Sequence, residues 1–183
     1  PIKSVRISSG EFSAIGEFVI SKKGIEGSGI YAASKFLRDG NSLMIDLLPD
    51  TEIETLNKRQ KLLSLKVSRS TLNRKVLRLD KGKTAFFNEF SQHISTQNIV
   101  HAAKNLLIPH EGPHPINEAI STAGGVSESA LNDNLMLKAK PSVFCAGEML
   151  DWEAPTGGYL ISACLATGKW AGLGAVNYIK SLK

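Results

Sequence analysis

The stretch Val143-Phe-Cys-Ala-Gly-Glu-Met-Leu-Asp-Trp-Glu-Ala-Pro-Thr-Gly-Gly-Tyr159 decides how the rest of this sequence is interpreted. It opens with a short continuous apolar run, Val143–Ala146, which is typical of a strand buried on both faces. Gly147 ends the run, and Glu148 follows at the position of the strand's carboxyl end. Ligands of open α/β sheets bind at that edge, where glycine permits close approach and a carboxylate accepts hydrogen bonds from hydroxyl groups. The pattern predicts a ligand site at Gly147 and Glu148.

Thr156-Gly-Gly-Tyr159 is predicted to begin a helix that continues to about Leu182. The free N–H groups of a helix start favour an anionic or electron-rich partner. A flavin gains negative charge at its N1–C2=O edge on reduction, and such a helix stabilises that form. Gly168, Gly172 and Gly174 lie inside the helix, where each glycine lowers helix stability by up to ~1 kcal/mol relative to alanine. They indicate close contact with a sheet or a cofactor, and a glycine-rich core helix is the alternative.

Residues 1–50 have the pattern of a β-rich segment. Phe18-Val-Ile-Ser21 and Leu43-Met-Ile-Asp-Leu-Leu48 each have the composition of a short strand. Between them, apolar residues recur at helical spacing after Ser28, a candidate N-cap, and Gly40 is a candidate stop signal. We therefore expect a strand, a helix and a second strand in this order.

Residues 51–115 are predicted to form a small basic helical subdomain. Thr51 and Glu54 fit a capping box for the first helix, and further helices are expected at Leu72–Leu79 and Ile99–Leu107. The apolar side of the first helix is supplied by four leucines: Leu56, Leu62, Leu63 and Leu65. A run rich in proline and glycine then ends the helical pattern.

The net charge of +5 is concentrated in this subdomain. Ten Lys or Arg residues and one acidic residue, Asp80, lie between Lys58 and Lys83. Such a stretch is typical of the solvated face of a helical subdomain. It also suits an anionic ligand or the phosphates of nucleic acid. Because the interleaved aromatic residues of a single-strand binder are missing there, nucleic acid is the least favoured partner.

The composition, 42% apolar and 21% charged, predicts a packed globular core. No apolar run approaches the ~20 residues of a membrane helix, and no signal peptide opens the sequence. Cys145 and Cys164 lie in apolar surroundings and are predicted to be buried, reduced thiols in a cytoplasmic protein. His110 and His114 are not expected to hold a metal, because the intervening proline prevents the helix on which they would converge.

Three blocks of this sequence resemble the aminoacetone-oxidase-like (BaiN-type) family of FAD-binding flavoproteins: Ala119–Val126, Phe144–Trp152 and Ala154–Tyr159. Phe12–Arg38 resembles an upstream block of the same family. The resemblance covers most of the chain and is weakest between residues 55 and 115. It implies a mixed α+β or α/β fold. Part of a β-barrel-like insert and a small helical bundle would precede the strand–helix return of a Rossmann-like FAD-binding domain.

The resemblance also implies a domain order and a set of FAD contacts. The order is a β-rich insert segment at 1–50, the helical subdomain at 51–115, the return strand of the insert at 116–126 and the C-terminal segment of the FAD domain at 127–183. Seven residues would contact FAD: Gly147 and Glu148 along the ribityl and pyrophosphate groups, Gly157, Gly158 and Tyr159 at the isoalloxazine, and Gly124 and Gly125 from the insert side. By itself, Gly-Gly after a strand is typical of a turn or a bulge.

The family carries a Gly-x-Gly-x-x-Gly motif that cradles the pyrophosphate, and this sequence has no such motif. The nearest glycine clusters are Gly24–Gly29 and Gly168–Gly174. We therefore interpret the chain as the C-terminal fragment of a flavin-dependent oxidoreductase whose N-terminal FAD-binding segment is missing.

On this interpretation the chain alone is inactive and holds FAD weakly or not at all, and the parent enzyme acts on a small-molecule substrate. No residue stands out as a catalytic acid, base or nucleophile. Val143–Ala146 would lack neighbouring strands, which favours self-association. The alternative is a non-enzymatic basic module that binds nucleic acid or a protein partner on a degenerate flavoprotein fold.

Overall fold

The computed structural model describes residues 1–63, 67–155 and 157–183. The predicted contributions of Leu65 to the first basic helix and of Thr156 to the start of the last helix lie outside the described residues. The chain divides into two compact units, one running to Pro113 and the other beginning at His114. The domain boundaries implied by the family resemblance stay a prediction.

The first unit is built on a five-stranded antiparallel sheet that forms an open half-barrel. The strands are β1 (Ile2–Ser9), β2 (Phe12–Ser21), β3 (Gly24–Glu26), β4 (Leu43–Asp46) and β5 (Leu106–Ile108). Their order in the sheet is β3-β2-β1-β4-β5. The predicted strand at 18–21 is confirmed as the end of β2. The strand predicted at 43–48 is confirmed over Leu43–Asp46, and its last two residues lie beyond β4. In β1, alternate residues Val5, Ile7 and Ser9 are buried, as expected for a strand with one face on a core.

Helix α1 (Ser28–Arg38) packs on β1 and β2 and confirms the predicted helix. Its N-cap is Gly27, with a φ of 112° and no side-chain cap, so the prediction of Ser28 as N-cap was wrong. A side chain at Gly29 would meet Ile7 and would lie 2.8 Å from the Glu17 carbonyl oxygen. This glycine therefore lets the helix start approach the sheet closely.

Four more helices complete the first unit: α2 (Ile53–Lys61), α3 (Arg69–Leu72), α4 (Lys81–Ser91) and α5 (Ile99–Lys104). The predicted capping box at Thr51 and Glu54 was wrong, because α2 begins after Glu52 without a side-chain cap. Of its leucines Leu56 is fully buried, but Leu62 is 85% exposed and does not belong to an apolar side.

The second predicted helix, Leu72–Leu79, differs in its bounds and type, and the third is shorter than expected. The helix that begins at Arg69 changes after Leu72 into a π-helix (Asn73–Leu77), which Arg78 ends in the left-handed conformation. The helix predicted to reach Leu107 ends at Lys104, because the residues from Leu106 pair with β4 as β5. Tertiary pairing overrides the apolar periodicity at this end.

Two lysines connect the helices of the first unit to the ends of its strands. The Lys83 amine of α4 donates to the carbonyl oxygens of Ser4 (2.9 Å) and Leu47 (2.8 Å). Lys104 of α5 forms a 2.7 Å ion pair with Asp46. The core between helices and sheet includes Phe18 and the α4 aromatics Phe86, Phe87 and Phe90.

The second unit consists of a long helix, α6 (Gly158–Ser181), and irregular chain with short 3₁₀ turns. The start of α6 confirms the predicted helix. The predicted buried strand at Val143–Ala146 was wrong. In the described residues of this unit only isolated bridges occur, one of them between Met136 and Phe144, and only Cys145 of the four residues is fully buried. Its backbone bonds go to a loop that Leu135, at a φ of 61°, bends out of register.

The predicted return strand at 116–126 was also wrong. Ile116–Glu118 forms a 3₁₀ turn, and the chain after it bends through exposed residues to a single bridge at Val126. Prolines and glycines on either side of this stretch favour such irregular structure.

Both thiols are free, with Cys145 buried and Cys164 half-buried, so the prediction of two buried thiols holds only for Cys145. Within the described chain, no helix, α6 included, has the length and apolarity needed to cross a membrane.

Candidate functional site

The second unit brings the Gly124–Gly125 turn against the chain that follows Gly147. The Val126 amide donates to the Met149 carbonyl oxygen at 2.8 Å. At Gly125, with a φ of 154°, a Cβ would lie 2.5 Å from the same oxygen. Only glycine fits there, so two motifs that are separated in sequence form one cluster. We call Gly124, Gly125, Gly147 and Glu148 the glycine–glutamate cluster.

Glu148 lies at the surface of this cluster in a 3₁₀ turn (Gly147–Met149). Its Oε1 accepts hydrogen bonds from the Ser121 hydroxyl (2.9 Å) and the Thr122 amide (3.3 Å). In the described part of the chain Oε2 accepts no hydrogen bond. The carboxylate is therefore oriented by the 121–122 segment and keeps one oxygen for a ligand hydroxyl.

Gly147 fixes the turn to helix α6. Its amide donates to the Thr167 hydroxyl at 3.0 Å, and that hydroxyl donates to the Ala163 carbonyl oxygen at 2.8 Å. The Gly147 carbonyl accepts from the Trp152 indole N–H at 3.0 Å. Both backbone groups of Gly147 are occupied, and its φ of 67° is the conformation that glycine supplies most easily. Gly147 therefore positions Glu148 and does not offer an amide to a ligand.

The start of α6 is the other part of the candidate site. Its N-cap is Gly157, with a φ of 148°, and among the residues that the structure describes neither a side-chain cap nor an acidic residue occupies the first turn. Side chains added at Gly157 or Gly158 would meet nothing within 4 Å, and Tyr159 is 78% exposed. The described chain therefore leaves space around these two glycines, and the free first-turn amides of a helix suit an electron-rich ligand.

Helix α6 sets the distance between the glycine–glutamate cluster and the helix start. A Cβ at Gly147 would lie 3.6 Å from the Cys164 sulfur, and Gly158 precedes Cys164 by six residues. At 1.5 Å per residue the helix start lies about 9 Å along the axis from that contact. The seven predicted contact residues thus fall into one cluster, which contacts α6 through Gly147, and the start of the same helix.

Sequence reasoning missed the residues that hold the site in place, Ser121, Thr122 and Thr167. The Ser-Thr pair lies one residue before the Gly-Gly turn, and Thr167 lies on the same side of α6 as Ala163, Ala171 and Ala175. A polar residue beside a Gly-Gly pair, or among alanines on one side of a helix, was the available signal, because such side chains often bond to nearby backbone.

Helix α6 also carries an apolar stripe: Ile161, Leu165, Gly168, Gly172, Val176 and Ile179. Their spacing places them along one side of the helix, and all six are exposed, Leu165 by 70%. Side chains added at Gly168 or Gly172 would meet nothing within 4 Å. The predicted close contact of the helix glycines therefore holds within the described chain only for Gly174, where a Cβ would lie 2.5 Å from the Asn134 carbonyl oxygen.

The sequence matches the model of a known protein family. The family model described as "HI0933-like protein Rossmann domain" matches residues 14–174. The match covers most of the chain, extends over both units and includes all seven predicted contact residues.

Proposed function

Because the chain belongs to the HI0933-like family, whose members bind FAD, we propose that it supplies one half of the FAD site of a flavin-dependent oxidoreductase. The observation that carries this proposal is the open start of α6, about 9 Å along the helix from the contact that holds the glycine–glutamate cluster. A single extended ligand can contact both.

In the proposed arrangement, the isoalloxazine lies at Gly157, Gly158 and Tyr159. When bound, the flavin supplies the electron and hydride transfer. The uncapped amides of the helix start stabilise negative charge on the ring, because they form the positive end of the helix dipole. Glycines at the first two positions leave the space that the ring occupies.

Glu148 is proposed to orient the ribityl chain. Its free Oε2 accepts a hydrogen bond from a hydroxyl, while Ser121 and Thr122 hold Oε1. Gly124 and Gly125 approach the ligand from the other side of the cluster. Gly125 must stay a glycine for the cluster to close.

The ADP half of FAD needs a phosphate-binding unit that these 183 residues do not contain. We propose that a strand–helix unit with a Gly-x-Gly-x-x-Gly motif, outside this sequence, completes the site. The apolar stripe of α6 supports this proposal, because exposed apolar surfaces of this kind mark interaction sites. The substrate is proposed to be a small molecule that reaches the flavin of the complete site.

Coexpression tests the proposal. The chain is produced alone and together with the Gly-x-Gly-x-x-Gly segment of a family member, and both products are examined for a flavin absorption band. We expect flavin near one equivalent in the complex and little in the chain alone. Stoichiometric flavin in the chain alone would contradict the proposed half-site.

A matched pair of variants tests the role of Glu148. We expect E148Q to weaken FAD retention by the complex about tenfold, the loss of one charge-assisted hydrogen bond. Glu128→Gln, at an acidic residue in another 3₁₀ turn of the same unit, is the control and should retain FAD like the unmodified chain. Equal FAD retention by both variants would show that Glu148 does not contribute to FAD binding.

A further inference from the structure

The first unit contains a cavity of about 750 Å³ between the α3–π-helix segment and α4. The flavin proposal does not use it. Its wall includes three arginines (Arg69, Arg74 and Arg78) and the polar residues Asn73, Thr84 and Asn88, and none of its described lining residues is acidic. A cavity with this lining is electropositive and suits an anion.

The three arginines have different roles. Arg69 is fixed, since its guanidinium donates to the carbonyl oxygens of Ile94 (3.0 Å) and Ser91 (2.6 Å) and lies over the Phe87 ring. Burial lowers the pKa of Arg69. Arg74 and Arg78 are exposed, and in the described chain neither forms an ion pair or a hydrogen bond through its side chain. These two guanidinium groups remain for a ligand.

Asn73 indicates that the ligand also carries a hydrogen-bond donor. The residue is 3% exposed, and its amide nitrogen donates to Asn88 Oδ1 at 2.9 Å. Among the residues that the structure describes, its own Oδ1 is buried without a hydrogen-bond partner. A buried acceptor left unpaired is destabilising, and such an atom in a native fold calls for an explanation. Because Asn73 lines the cavity, a small rotation of its side chain would bring this oxygen to a ligand that donates a hydrogen bond.

The backbone brings these groups to one wall. Asn73 and Arg78 are five residues apart, and in an α-helix they would point about 140° away from each other. The π-helix between them closes its turns over five residues instead, a feature that is frequent at functional sites. Arg78 then adopts a left-handed φ of 55°, which is unusual for a residue with a side chain.

We propose that this cavity binds a small organic oxyanion that carries a hydroxyl or amino donor close to its charge. Arg74 and Arg78 bind the phosphate or carboxylate group, and the Asn73 Oδ1 accepts the hydrogen bond of the donor. A guanidinium group is planar and carries several N–H donors, so it can bind two oxygens of a phosphate or of a carboxylate at once. This is a second site, separate from the residues proposed to contact FAD.

Titrations of the 183-residue chain followed by ¹⁵N NMR test the proposal. The probes are glycerol 3-phosphate, glycerate, inorganic phosphate and a short DNA duplex. We expect glycerol 3-phosphate or glycerate to bind at least tenfold more tightly than inorganic phosphate, with shifts confined to residues 69–92. The tighter of the two identifies the oxyanion. Binding no tighter than that of inorganic phosphate overturns the proposal, as does a duplex that binds with the same shifts and competes.

Two variants separate the cavity from a general basic surface. R74A/R78A is expected to weaken binding at least tenfold. The matched control is K75A, which removes an exposed cation of the same π-helix that does not line the cavity, and it should bind within twofold of the unmodified chain. All three side chains are exposed, so folding should be retained. Equal losses in the two variants overturn the assignment.

N73L tests the donor contact. This variant removes the unpaired oxygen, so the melting temperature should stay the same or rise, while the preference for glycerol 3-phosphate over inorganic phosphate should disappear. A folded variant that keeps the preference overturns the role of Asn73. If N73L does not fold, the arginine pair decides the question.

Discussion

At the scale of single residues, Gly125 makes the most specific demand on the sequence. We expect G125A to lower the free energy of unfolding by about 1–3 kcal/mol, because the new methyl group would overlap the backbone at Met149 and Leu150 and because φ is 154°. Chemical denaturation measures the change.

G168A is the control for this prediction. Gly168 lies inside α6, where a Cβ would meet nothing within 4 Å, and alanine there should stabilise the isolated chain by up to ~1 kcal/mol. A G168A variant as unstable as G125A would contradict the close approach at Gly125.

Lys83 makes stability depend on pH. Burial lowers its pKa, against the opposing effect of Asp80, Asp46 and Asp50. Between the lowered value and the ordinary lysine pKa of about 10.4, the unfolded chain binds more protons than the folded chain. Stability contributed by this residue therefore rises with pH in that window. The neutral amine still has hydrogens for both carbonyl oxygens that it contacts.

Urea unfolding of the unmodified chain and of K83M from neutral to alkaline pH isolates this effect. The stability of the unmodified chain relative to K83M should increase as the pH rises towards about 10.4. A difference that falls over this range would show that Lys83 is not desolvated.

At this scale the sequence identified the glycines but not their partners. The need for glycine at positions 124 and 125 was predictable, because Gly-Gly pairs mark unusual backbone conformations. The bond from Ser121 to Glu148 spans 27 residues, and the bond from Gly147 to Thr167 spans 20. No local pattern encodes contacts over such separations.

At the scale of elements, the apolar stripe of α6 should cause the chain alone to self-associate. We expect dimers or larger species in sedimentation velocity, and I161K/L165K should shift them towards monomer by placing charges in the stripe. Trp170→Lys, at a position that is 52% exposed but off the stripe, is the control. A monodisperse monomer of the unmodified chain would contradict this prediction.

Elements with a single dominant signal were predictable. Helix α1 and strand β4 follow from periodicity and composition. Helix α4 was not predicted, although Asp80 caps it through the Lys83 amide at 2.8 Å, because its first turn continues the basic stretch and its apolar residues Phe86 and Phe87 come only after it. The error at Val143–Ala146 has another cause. A short apolar run specifies burial, and here the hydrogen-bonding partners are an irregular loop.

At the scale of the whole molecule, the mixed α+β fold followed from the sequence. The strand order did not. Strand β4 pairs with β1, although β2, β3 and α1 lie between them in the sequence, and β5 begins more than 50 residues after β4 ends. The family match confirms the resemblance on which the flavin interpretation depends. The individual FAD contacts stay predictions.

The division into two units predicts where proteases cut first. Residues 109–115 lie at the boundary and are all exposed, and exposed linkers are preferred cleavage sites. We expect limited digestion with a glutamate-specific protease to cleave first after Glu111 and to leave two resistant fragments. Earlier cleavage at Glu54 in α2 or Glu89 in α4 would contradict the two compact units.

The same boundary has a consequence for how such a chain diversifies. Every residue proposed to contact flavin lies after His114, and every residue of the arginine-lined cavity lies before Pro113. A chimaera that joins the first unit of one relative to the second unit of another at this point would inherit its two ligand preferences from different parents. Drift or exchange on one side of the junction can therefore change one specificity while the other is inherited intact.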